Sequence, residues 1–183
     1  MEFIETPLPG LLLIKHAPIT DERGFFMRTF CKNEFAAVNF QKEFVQFNHS
    51  FNKEKGTLRG LHFQEPPYTE TKLIRCIQGK VYDVAVDLRK ESPTFLQYFG
   101  VELGEDKLVS ILIPDGFAHG FQTLQDNSAL IYHHTAFFTP AADKGIRFND
   151  PAIGIQWQLP PVNLSKKDTS YPLITENFKG VTL

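Results

Sequence analysis

The chain is expected to be all-β, a jelly-roll barrel or sandwich with a few short helices. Three observations support this. Short runs of β-branched and aromatic residues recur along its length, separated by turn residues. Eighteen phenylalanines stand against one tryptophan, a composition suited to pleated, half-buried surfaces. Almost no stretch reads as helix, which leaves a sandwich or barrel as the stable packing.

Taken in order, the expected strands are Leu11–His16, Phe25–Phe30, Phe44–Asn48, Thr57–Phe63, Leu73–Ile77, Val81–Leu88, Tyr98–Leu103, Val109–Ile113, Gly120–Leu124 and Ala129–Thr135. Gly79, between two of these runs, reads as a tight hairpin turn. Lys32–Phe40 reads as one short helix, and Asn163 or Ser165 as the cap of another. Within Val81–Leu88, Tyr82, Val84, Val86 and Leu88 share one face and Val81, Asp83, Ala85 and Asp87 the other. The face carrying Asp83 is either solvated or turned to a polar interior, because an unpaired buried carboxylate is costly. In Thr57–Gln64, Gly60, His62 and Gln64 point one way and Arg59 and Leu61 the other. If Arg59 and His62 serve one pocket, the pleat must break, and Gly60 is where a bulge fits.

The 183 residues show no repeat, low-complexity tract or linker, so one domain over 1–183 is expected. A net charge of −2 and a pI near 6.3 argue against a nucleic-acid or anionic-membrane surface. No apolar run approaches the ~18 residues of a spanning helix. The opening MEFIETPLPG lacks the layout of a signal peptide. Cys31 and Cys76 make no disulfide scaffold and read as free buried thiols of a reducing cytoplasm.

The chemistry-bearing residues gather in two stretches. GTLRGLHFQE at 56–65 supplies Arg59 and His62, and IPDGFAHGF supplies His119. Two imidazoles on separate strands suit a site in the mouth of a β-barrel. With Lys72, Tyr132 and Asp168 they provide a base, a cation, a phenol and a carboxylate for proton transfer beside a carbonyl. The spacing Gly56-x5-His62-x-Gln64 resembles the first cupin motif, except that Gln64 stands where a second histidine would be. Lys72 precedes Gly79 by the interval at which the cupin glutamate ligand occurs. Pro114, Gly116 and His119 match the second motif. A lysine in a ligand position repels a metal ion, so no metal is expected, although His49, His62 and His119 are the set that could converge on one.

Eight segments in register make the resemblance specific: DERGFF at 21–26, QFNHS at 46–50, TLRGLHFQ at 57–64, KLIRCIQGKVYDVAVDLRKESPTF at 72–95, LIPDGFAHGFQTL at 112–124, ALIYHHT at 129–135, GIRFNDPAIGIQW at 145–157 and LSKKD at 164–168. Through them the chain resembles the dTDP-4-dehydrorhamnose 3,5-epimerase family, cupin enzymes of deoxysugar synthesis. The resemblance implies His62 as proton-abstracting base, Asp168 as its carboxylate partner, Tyr132 as the acid on the opposite ring face, and Lys72 beside the 4-keto oxygen. It also implies substrate contacts from Arg23, Phe26, Arg28, Gln46, Asn48, Arg59, Gln64, His119, Phe138, Asp143 and Lys167, the arginines suiting a diphosphate. The implied substrate is a dTDP-4-keto-6-deoxyhexose, and the implied assembly a homodimer.

The chemistry agrees with this, because a ketone at C4 acidifies the hydrogens on C3 and C5. Inversion then needs a base on one face and a proton source on the other, and no cofactor. Departures from the family pattern are Arg28 for glutamate, Phe47 for aspartate, His133 for lysine, Phe138 for tyrosine and Asp143 for glutamate. They cluster at the nucleotide end. His49 and the pair His133–His134 read as structural, since neighbours on a strand face opposite ways. The alternatives are a C3-only epimerase, a keto-isomerase on a related sugar, a catalytically silent sugar-nucleotide binding protein and a metal cupin.

Overall fold

The computed structural model describes Met1–Leu183. Its elements are β1 (Glu2–Glu5), β2 (Leu12–Lys15), β3 (Ile19–Asp21), β4 (Gly24–Phe26), α1 (Lys32–Ala36), β5 (Gln46–Asn52), β6 (Leu58–Gln64), β7 (Lys72–Gln78), β8 (Lys80–Asp87), β9 (Tyr98–Gly104), β10 (Val109–Ile113), β11 (Phe117–Thr123), β12 (Ser128–His134), β13 (Asp143–Gly145) and α2 (Lys166–Ser170). A six-stranded sheet runs β1-β2-β10-β7-β12-β5 and a five-stranded sheet runs β13-β6-β11-β8-β9. Strands β5 to β12 fall four to a sheet, in the orders β10-β7-β12-β5 and β6-β11-β8-β9, which is jelly-roll topology. The all-β expectation holds. No helix is long and apolar enough to cross a membrane.

Between the sheets, Ile74, Cys76, Ile111 and Leu130 of one, with Leu11 just before β2, pack against Val81, Ala85, Leu103, Phe117 and Phe121 of the other. The opposite face of the five-stranded sheet is also covered. Leu61, Val84, Val86, Leu88 and Ala118 meet Ile146, Ile155, Trp157, Phe178 and Val181 from the C-terminal stretch. Strand β8 is therefore buried on both faces. Asp83 accordingly lies in the interior and is fully buried. Asp87, buried on the same face, takes donors from Arg89, Ser92 and Thr94.

Several sequence expectations are corrected. The run Phe25–Phe30 is not one strand: only Gly24–Phe26 pairs, with β3, in a two-stranded ribbon outside both sheets. Strands β1 and β13 were not expected, being only four and three residues long. The helix expected over Lys32–Phe40 stops at Ala36, and Asn39 then adopts φ 61° and turns the chain away. Gly79 does not close a hairpin, since β7 and β8 lie in different sheets. It turns the corner between them at φ 68°, where a Cβ would lie 2.6 Å from Ser128 Oγ. Ser165, not Asn163, caps α2, its side chain accepting from the Asp168 backbone N–H. Both cysteines are free, but only Cys76 is buried, and burial pushes its thiol up to about 11.

The segment around α1 closes the outer face of the six-stranded sheet. Phe35 sits fully buried against Ile14, Leu73 and Leu112, with the rings of Phe3, Phe30 and Phe40 around it. Phe35→Ala is expected to lose about 4 kcal/mol of unfolding free energy in urea, with an unchanged far-UV spectrum.

Candidate active site

The site begins with an irregularity in β6. His119 pairs with His62, but Phe121 pairs with Arg59, so two residues of β6, Gly60 and Leu61, stand opposite one of β11, Gly120. The extra residue is accommodated at Gly60, at φ 115°, where a Cβ would stand 2.6 Å from Gly120 Cα. No other residue fits there. The break in the pleat turns both Arg59 and His62 into one cavity of about 730 Å³, a size suited to a small-molecule ligand. The cavity lies between β5, β7 and β12 of one sheet and β6 and β11 of the other, and His62, Lys72, His119, Tyr132 and Asp168 all line it.

His62 and Tyr132 come from opposing sheets and both line this space. His62 Nε2 donates to Asp168 Oδ1 at 2.6 Å. With its proton on Nε2, the ring carries its lone pair on Nδ1. Asp168 is buried on the first turn of α2. Burial opposes its charge, but donors from His62, Ser165 and the Gly60 backbone outweigh this and hold its carboxyl below the usual aspartate range. Burial raises the Tyr132 phenol well above the usual tyrosine range, against a hydrogen bond with Ser50 Oγ at 3.4 Å. Tyr132 therefore remains a phenol across the physiological range. Lys72 Nζ donates to the His62 carbonyl at 3.3 Å, linking the two sheets.

His119 Nε2 bonds Asp83 Oδ2 at 2.9 Å, and its ring meets that of Tyr132 edge-on with centroids 6.1 Å apart. Arg59 is aimed by Asn52, whose Oδ1 accepts from its Nε at 2.7 Å. The imidazoles of His62 and His119 are thus committed to different carboxylates, and no three His, Cys, Asp or Glu side chains gather as a metal-binding group.

The remaining sequence-predicted residues divide by position. Asn48, Gln64, Phe138, Asp143 and Lys167 line the cavity, with Lys167 ion-paired to Asp143. The Gln64 amide is spent on the 137–139 loop, accepting from Thr139 N at 2.7 Å and donating to the carbonyls of Tyr68 and Phe137. It holds the loop that presents Phe138. Gln46 braces that loop from the rim, its Oε1 accepting from Phe138 N at 3.0 Å. Arg23 and Phe26 lie on the exposed β3–β4 ribbon, outside the cavity of their own chain, with Arg23 paired to Asp21. Arg28 also lies outside and pairs with Glu34 at 2.9 Å.

His133 points away from the cavity, between Phe44 and Phe47. His134 corrects the structural reading of the histidine pair, because it shares the Tyr132 face and lines the cavity. Glu70, bonded to it, was also missed, since it lies in an irregular segment before β7 where alternation gives no signal.

A family model described as dTDP-4-dehydrorhamnose 3,5-epimerase matches residues 5–176. The dTDP-4-dehydrorhamnose 3,5-epimerase of Salmonella typhimurium is 44% identical over 180 residues, 96% of this chain and 97% of that protein. The solved dTDP-6-deoxy-D-glucose-3,5-epimerase of Legionella pneumophila Philadelphia 1, in complex with dTDP-4-keto-L-rhamnose, has a TM-score of 0.93 at 36% identity, covering 100% of this chain and 98% of that one. The Bacillus anthracis dTDP-4-dehydrorhamnose 3,5-epimerase, solved with TDP and PPi bound, has a TM-score of 0.92 at 40% identity, covering 94% and 99%. With the jelly roll, the bulged strand and the cavity in place, agreement over nearly the full length leads to one conclusion: the chain belongs to the dTDP-4-dehydrorhamnose 3,5-epimerase family.

Proposed function

We propose that this protein inverts C3 and C5 of dTDP-4-dehydro-6-deoxy-D-glucose, giving dTDP-4-dehydro-L-rhamnose, with no cofactor. The observation that carries this reading is the placement of His62 and Tyr132 on opposing sheets of one cavity. A hexose between them presents one ring face to an imidazole and the other to a phenol.

In this reading His62 Nδ1 takes the proton from C3 or C5, and the electron pair delocalises onto the C4 oxygen as an enolate. The imidazolium that forms is stabilised by Asp168, already ionised at its Nε2. The Lys72 ammonium meets the developing negative oxygen. Tyr132 then delivers a proton to the other face of the same carbon, inverting it, and is reprotonated from solvent. Arg59 suits the diphosphate, and Phe138 the nucleobase by stacking without a hydroxyl.

The functional unit is read as a homodimer. The β3–β4 ribbon exposes Ile19, Phe25 and Phe26, the last 75% exposed, and belongs to neither sheet. Strand β5 is a sheet edge with Phe47 and Phe51 exposed. Apolar side chains on a ribbon and an open edge call for cover, which a second copy supplies. Such packing would give Arg23 and Phe26 a route to the partner's cavity. The two unpaired thiols fit a reducing compartment, the cytoplasm.

Incubation with dTDP-4-keto-6-deoxyglucose in heavy water, followed by NMR, tests the reading. Deuterium at both C3 and C5 is expected, with exchange abolished in His62→Ala while dTDP still binds. Label at C3 alone would assign a C3-only epimerase, and tight binding without exchange a silent binding protein. Sedimentation is expected to give a dimer, shifted toward monomer by Phe26→Ser with a raised KM. A monomeric wild type would remove the shared-site reading.

A further inference from the structure

The least explained part of the cavity is the pair Glu70 and His134. Both line it, and both are largely buried. Glu70 Oε2 accepts from His134 Nδ1 at 2.7 Å, and Glu70 Oε1 lies 3.3 Å from Lys72 Nζ. On the other side of the ring, His134 Nε2 faces Asn48 Nδ2 at 3.2 Å. The Asn48 amide is oriented by Gln46, whose Nε2 donates to Asn48 Oδ1 at 3.4 Å. An amide nitrogen only donates, so Nε2 of His134 accepts and its proton sits on Nδ1, directed at Glu70.

This arrangement has consequences on two sides. Burial would drive Glu70 toward its neutral acid, but the His134 N–H and the Lys72 charge reverse this and hold its carboxyl below the usual glutamate range. The ionised carboxylate restrains the Lys72 ammonium, which is also fixed by the His62 carbonyl 3.3 Å away. A lysine has four rotatable side-chain bonds and would otherwise sample the open cavity. His134 also stacks on Tyr132, with centroids 6.0 Å apart and planes 16° from parallel. One pair therefore braces both the cation and the phenol.

We propose that Glu70 and His134 are positioning residues for the reaction. They fix the Lys72 ammonium where the enolate oxygen develops and hold the Tyr132 ring, setting kcat rather than substrate affinity. This rests on the epimerase reading above. The pair acts through Lys72 and Tyr132 and performs no bond-making step.

The test compares steady-state epimerisation by the full chain, wild type against Glu70→Gln, His134→Ala and His134→Asn, with melting curves for each. Asn at 134 places an amide N–H near the position of Nδ1 and so keeps the donor to Glu70. Glu70→Gln and His134→Ala are expected to lose kcat by about 10-fold with KM within about twofold, since a small misplacement of a catalytic group is costly. His134→Asn is expected to recover kcat in part, to about threefold below wild type, because it keeps the donor to Glu70 but loses the ring stacked on Tyr132. Unchanged kcat in Glu70→Gln would overturn the proposal, as would a loss confined to KM, or His134→Asn as impaired as His134→Ala. If His134→Ala does not fold, Glu70→Gln and His134→Asn decide the matter. A wild-type chain with no turnover would sink the epimerase reading and this role with it, whereas active wild type with an unaltered Glu70→Gln sinks the pair alone.

Discussion

A carboxylate buried among apolar side chains must be given hydrogen-bond donors or surrender its charge. This site is organised by three such groups. Asp168 takes His62, Asp83 takes His119, and Glu70 takes His134 together with Lys72. Each carboxylate fixes the direction of a ring or an ammonium in the cavity. The His62–Asp168 bond also has a structural role, because it ties strand β6 to helix α2, more than a hundred residues further along the chain. One bond thereby closes the C-terminal stretch over the sheet and selects the ring nitrogen that carries the lone pair. Asp83 Oδ1 has no partner and is buried beneath His119, a polar atom left unsatisfied next to the site.

The jelly roll supplies what those pairs alone cannot, two walls. From β5 to β8 and again from β9 to β12, successive strands alternate between sheets, so short stretches of sequence deliver groups to opposite sides of one space. His62 on β6 and Lys72 on β7 are ten residues apart yet lie on different sheets, joined by the Lys72 bond to the His62 carbonyl. The bulge at Gly60 adds Arg59 to the same cavity, which strict alternation would have turned away. The backs of both sheets are covered, by the α1 segment and by the C-terminal stretch, so the lining side chains of β6, β7, β11 and β12 stand on strands packed from behind.

Most of the strands were legible because their apolar residues recur in short runs between turn residues. The elements that escaped lack that signature. Strands β1 and β13 are short, and the ribbon at Gly24–Phe26 carries apolar side chains that point to solvent. Gly79 signals a turn in the sequence, but whether a turn returns within a sheet or crosses to another depends on pairing partners elsewhere in the chain. The Gly60 bulge could be anticipated from the need to place Arg59 and His62 together. The roles proposed for His62, Lys72, Tyr132 and Asp168 rest on the resemblance. Spacing alone offered a set of groups suited to proton transfer. Glu70 and His134 were hidden because one sits outside regular structure and the other beside a histidine that faces the opposite way. Two of the departures from the family pattern are also resolved by position: Arg28 pairs with Glu34 and His133 packs between phenylalanines, both away from the cavity.

In the proposed reaction Asp168 holds the proton of His62 on Nε2 and leaves Nδ1 as the base. Nitrogen-15 NMR of the imidazoles in the ligand-free protein, assigned with His62→Ala, reads this tautomer directly. A protonated Nε2 and an unprotonated Nδ1 are expected for neutral His62, with that pattern disturbed in Asp168→Asn. A proton on Nδ1 in the wild type, or a His62 signal indifferent to Asp168→Asn, would contradict it.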